Sequence, residues 1–153
     1  MGLCRHESRL RETKSYLDFK ILIYLITPKT NIRTKALDWF AKNHPKETGE
    51  IYASKFYTPD ESWSKTSVWF FNVPLPVIHA VPTTNINLLC ENPGSESEFY
   101  CLKVSSFFLL HHLDKFDAPE KMNAACLYFS AEEKDKFREV RGKGAVEFLQ
   151  FLT

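Results

Sequence analysis

One stretch does most to limit the fold: EFYCLKVSSFFLLHHLDKF, residues 98–116. In its first half Phe99, Cys101 and Lys103 alternate with Tyr100, Leu102 and Val104, the two-residue period of a strand. From Ser105 or Ser106, both natural N-caps, Leu109, Leu113 and Phe116 recur at helical spacing. Neither glycine nor proline separates the halves. Strand therefore runs directly into helix, with serine at the joint.

The rest of the chain fits around that joint. YLDFKILIYLI (residues 16–26) reads as a strand, and NIRTKALDWFAKNHP as a short helix stopped by Pro45. Strands follow at EIYASKFY (50–57), TSVWFFNV (66–73), NINLLCE (85–91), EFYCLKV (98–104) and AACLYFS (124–130). PLPVIHAVP carries three prolines and reads as an extended edge or loop. NPGSES closes a hairpin with Glu91 expected opposite Glu98. Ser130 and Glu133 have capping-box spacing, which predicts a helix over AEEKDKFREV. Ala145, Phe148, Leu149 and Leu152 predict an amphipathic C-terminal helix.

The expected architecture is α+β: a mostly antiparallel sheet of five to six strands, with helices packed mainly on one face. Residues 1–15 are polar and aperiodic and read as a flexible N-terminal segment, leaving 16–153 as a single domain. A chain of 153 residues fits one domain, in which roughly 70% of the unfolded surface is buried.

Composition excludes several classes of function. Twenty basic residues balance 19 acidic ones, so the global charge gives no duplex-binding excess. The longest apolar run, Ile21 to Ile26, is far shorter than the ~20 residues of a spanning helix. A secretory signal and a myristoylation site are not expected at the N-terminus. None of Cys4, Cys90, Cys101 and Cys126 has CxxC spacing, so a zinc ribbon or redox pair is unsupported. In the expected hairpin register Cys90 and Cys101 are diagonal neighbours on one face, too far apart for an unstrained disulfide. Reduced, buried thiols fit a cytoplasmic protein.

Two lines of chemistry remain. From residue 31 onward the order of elements resembles the αβββαβ layout of restriction-endonuclease-like nucleases, active or degenerate. Such an enzyme needs a divalent metal on carboxylates beside a lysine. Lys103 stands at a suitable strand position and Glu98 is its nearest acid, but position 101 is cysteine and an odd offset points the two apart. Asp18-Phe19-Lys20 is the literal motif match but precedes the required elements, and Asp60 lies in a turn. His111 and His112 diverge on a helix and are read as surface residues, and His79 as a partly buried, hydrogen-bonded one. Arg141, Gly142, Lys143 and Gly144 form no Walker loop, and Gly142 reads as a helix C-cap.

The second line is aromatic. Residues 56–82 hold Phe56, Tyr57, Trp63, Trp69, Phe70 and Phe71 and then a proline-rich stretch, with Lys55, Lys65 and Arg33 nearby. Large aromatic patches rimmed by polar groups tend to be contact sites. The leading expectation is a non-catalytic interaction module that binds a protein partner, or a second copy of itself, through Tyr57, Trp63, Lys65, Trp69, Phe70 and Phe71. It needs no cofactor and no membrane. Stacking of single-stranded nucleic acid without catalysis is a further alternative.

Overall fold

A computed structural model describes residues 31–153. The flexible segment read for residues 1–15 and the strand read for 16–26 lie outside them. Residues 32–153 form one compact unit. Its elements are α1 (Ile32–Asn43), β1 (Glu50–Ser54), β2 (Val68–Pro74), the short α2 (Leu75–Ile78), β3 (Asn85–Glu91), β4 (Phe99–Ser105), α3 (Ser106–His111) and β5 (Ala124–Ser130). This is the α+β class expected, with five strands.

The strands pair as a three-stranded sheet ordered β1-β3-β4 and an antiparallel ribbon of β2 and β5. β3 and β4 are the antiparallel hairpin, while β1 joins β3 in parallel, Tyr52 opposite Leu88. Alternation assigns the faces. Ala53, Leu89, Phe99 and Cys101 meet Ala36 and Phe40 of α1 in a small core. Tyr52, Ile86, Leu88, Cys90, Leu102 and Val104 point the other way, into the main core. There they meet Trp69, Phe71 and Val73 of β2 and Ala125, Leu127 and Phe129 of β5. The sheet is thus covered on both faces, by α1 on one and by the ribbon on the other. Each fully buried Leu or Phe contributes about 1.5–3 kcal/mol.

The serine joint forms as read. Ser105 caps α3 by accepting a hydrogen bond from the Phe108 N–H at 3.1 Å. Ser106 fastens the same joint to the chain entering β3, through its own N–H and side-chain oxygen against Thr84.

Four local expectations are corrected. Glu91 pairs with Phe99, not Glu98, so Cys90 faces Tyr100 and Cys101 faces Leu89. Cys90 therefore lies in the main core and Cys101 in the small one, on opposite faces, and no disulfide joins them. PLPVIHAVP begins as the short helix α2 rather than an extended edge. Residues 131–140 are not a helix. Ser130 Oγ donates to Asp135 and accepts from the Glu132 N–H, leaving a single 3₁₀ turn at Glu133–Asp135. Phe137 then adopts a positive φ of 66° and stacks on Trp69 at 5.2 Å. The C-terminal helix reduces to a 3₁₀ turn at Leu149–Phe151, with bridges at Glu147 and Leu152.

Candidate interaction surface

The outward face of the ribbon carries a group of partly exposed aromatic side chains. Period-2 alternation points Phe70 away from the core that holds Trp69 and Phe71, and opposite Phe70 stands Tyr128 of β5. Their rings lie 4.6 Å apart. Trp63, 64% exposed, adds a third ring at 6.1 Å from Tyr128. Tyr57 joins from the strand-like bridge it makes with Val68.

A polar turn fixes Trp63 in place. The Glu61 and Ser62 N–H groups both donate to the Thr58 carbonyl. The Glu61 carboxylate accepts from Thr58 on one oxygen and from Lys55 Nζ, 2.8 Å away, on the other. These contacts hold its pKa below the ordinary value. The Ser62 hydroxyl bonds Ser64 at 3.0 Å. Tyr57, Glu61, Ser62, Trp63, Val68, Phe70 and Tyr128 together line a cavity of about 220 Å³. A second cavity of about 330 Å³ uses Phe70 as a wall with Arg33, Tyr52, Lys55 and Asn72.

Two cations already sit on these rings. Lys55 Nζ lies 4.7 Å from the centre of Tyr57. The Arg141 guanidinium is 5.1 Å from Trp63 and 4.9 Å from Tyr128, held there by Asp117. Behind Arg141 the buried Glu139 carboxylate accepts the N–H groups of Tyr128 at 2.7 Å and Gly142 at 2.6 Å. Burial raises the pKa of Glu139, partly offset by these backbone donors. Gly142 is no helix cap. A Cβ there would stand 2.0 Å from the Lys115 carbonyl oxygen, so the turn requires glycine for close approach.

The residues singled out from sequence thus divide. Tyr57, Trp63 and Phe70 converge, with Lys65 exposed on the same turn. Trp69 and Phe71 are core, 0% and 2% exposed, and hold the ribbon onto the sheet instead of meeting a partner. The proline-rich stretch leaves β2 at Pro74, some 20 Å along the strand from Val68. It is separate from the aromatic group. Tyr128 escaped the sequence reading, and Arg141 was weighed there only as part of a phosphate loop, because they come from β5 and the turn beyond it and only the ribbon register brings them in.

The nuclease residues do not gather. The Glu98 carboxylate accepts from Trp39 Nε1, and Lys103 pairs with Glu47 at 2.7 Å. Among the described residues no three His, Cys, Asp or Glu side chains cluster to hold a metal ion. His79 is exposed rather than partly buried, and His112 bonds the Phe108 carbonyl at 2.9 Å while His111 stacks on Phe107. Burial raises the thiol pKa of Cys90, Cys101 and Cys126, which disfavours the nucleophilic thiolate. No helix among the described residues is long and apolar enough to cross a membrane.

Fold and site together define a small α+β domain with an aromatic, cation-decorated face and no assembled metal or nucleophile centre among the described residues. In comparisons with known proteins the chain matches no family model, no curated protein and no solved structure.

Proposed function

We propose that this domain is a non-catalytic interaction module whose contact surface is the outer face of the β2–β5 ribbon, and that its partner is a protein, a second copy of the chain included. Tyr57, Trp63 and Phe70 make the contact, Tyr128 completes it and Lys65 stands at its rim. The observation that carries the reading is Trp63. A tryptophan 64% exposed, fastened by a hydrogen-bonded turn beside two further rings, keeps a large apolar area in water. Aromatic anchors of this kind dominate interface energetics. A cytoplasmic setting belongs to the same reading, supported by the buried free thiols of Cys90, Cys101 and Cys126.

The test is sedimentation velocity of the full chain at two concentrations, with Trp63→Ala/Phe70→Ser as the comparison. If self-association is the function, the wild type shifts toward dimer as concentration rises and the double variant stays monomeric. A strict monomer removes the self-partner form. Capture of a partner that is identical for wild type and a folded double variant removes the surface altogether.

A further inference from the structure

The cavity beside Trp63 has a more specific chemistry than an apolar contact. Four of its seven lining residues are aromatic, Tyr57, Trp63, Phe70 and Tyr128, and Glu61, Ser62 and Val68 complete it. Aromatic faces carry negative quadrupole potential and attract cations within about 6 Å of the ring centre. The chain itself demonstrates this, with Lys55 on Tyr57 and Arg141 on Trp63 and Tyr128. A volume of about 220 Å³ is smaller than the ~300–1,000 Å³ of pockets for drug-sized ligands, and suits a single headgroup or side-chain end.

The walls also discriminate among cations. A primary ammonium or guanidinium entering such a site needs acceptors for its N–H groups. Glu61 Oε1 accepts from the Thr58 N–H and hydroxyl, Oε2 accepts from Lys55, and the Ser62 hydroxyl is bonded to Ser64, so most of the acceptor capacity at the edge is spent within the turn. A cation without N–H donors needs none of the acceptor sites that remain and gains the rings and the nearby carboxylate. We propose that the cavity lined by Tyr57, Trp63, Phe70 and Tyr128 is an aromatic cage for a quaternary ammonium group, carried by a small amino alcohol or by a trimethylated lysine side chain. The chain supplies two internal rivals, Lys55 on Tyr57 and Glu61, and Arg141 on Trp63 and Tyr128.

This deepens the proposed function by giving the chemistry of what enters the surface. It is tested separately, because small cations need no protein partner. The full chain has three tryptophans, each with one indole N–H, and the Trp63 indole N–H signal is followed by NMR while choline is added. It should move saturably while those of Trp39 and Trp69 stay fixed. The neutral isostere 3,3-dimethylbutan-1-ol should bind about tenfold more weakly or worse, reflecting loss of the cation–π term. Phe70→Ala should weaken choline by a similar factor. Lys55→Met should tighten it about two- to fivefold, a gain that a folding defect cannot imitate. Tighter binding of Nε-trimethyl-lysine than of choline assigns the group to a modified side chain, and the reverse to a small amino alcohol. The cage is overturned if the neutral isostere matches choline, if adenosine monophosphate outcompetes both, or if Trp63 does not respond. A folded protein that ignores choline but still loses its partner on Trp63→Ala sinks the cage and leaves the interaction surface standing.

Discussion

Glu139 shows how a single buried carboxylate organises the surface from beneath. Its oxygens collect backbone N–H groups from β5 and from the turn at Gly142, and so set where Arg141 can lie on Trp63 and Tyr128. Desolvation nevertheless raises its pKa above the ordinary 4.5, with the backbone donors pulling the other way. A folded-state value above the unfolded one means that the native state binds this proton more tightly. The resulting stability is fully present below the unfolded value and is lost as pH rises through the folded one. Glu139→Gln has no proton to lose. Urea unfolding of both proteins between about pH 4 and 7 should show the wild type's advantage over the variant shrinking as pH rises. An advantage that widens would mean that the backbone donors outweigh burial.

At the level of elements, the joint between β4 and α3 gives a quantitative expectation. Ser105→Ala removes the oxygen that accepts from Phe108 N–H and should cost about 1 kcal/mol, with Ser105→Asp recovering most of it. Equal stability of all three by chemical denaturation would show that the cap adds nothing. This joint was legible in the sequence because its causes are local: a change of period and a hydroxyl at the change. The face assignment of β4 was legible for the same reason. Local rules failed where distant residues decide. The hairpin register moved by one because the Asn92 N–H bonds the Glu98 carbonyl, which closes the loop outside the ladder. The capping-box spacing at Ser130 lost to the main core. Phe137 reaches its stack on Trp69 with a positive φ, which a helix over AEEKDKFREV would forbid. The parallel pairing of β1 with β3 left no mark in either strand. Of the proposed interaction surface, Tyr57, Trp63 and Phe70 could be named in advance, but alternation alone could not say that Trp69 and Phe71 face a second layer.

Across residues 32–153 the two cores share a wall. β3 and β4 present Leu88, Cys90 and Leu102 to the ribbon, and Leu89 and Cys101 to α1. A rupture of the sheet exposes both, so neither core has an independent route to unfolding unless α1 peels away alone. Its contact is small: Ala36 and Phe40 buried, with Ile32 and Trp39 partly so. Against this, Trp39 is tied across the small core by its hydrogen bond to Glu98 and its ring contact with Phe99. These contacts couple α1 to the hairpin that carries the main core. The expected behaviour is therefore a single cooperative transition of the kind small domains usually show. In a urea titration the indole N–H signals of Trp39, reporting the small core, and Trp69, reporting the large one, should vanish with the same midpoint. Loss of the Trp39 signal at clearly lower urea, with Trp69 intact, would make α1 a separately melting unit. The ribbon surface would then stand on the main core alone.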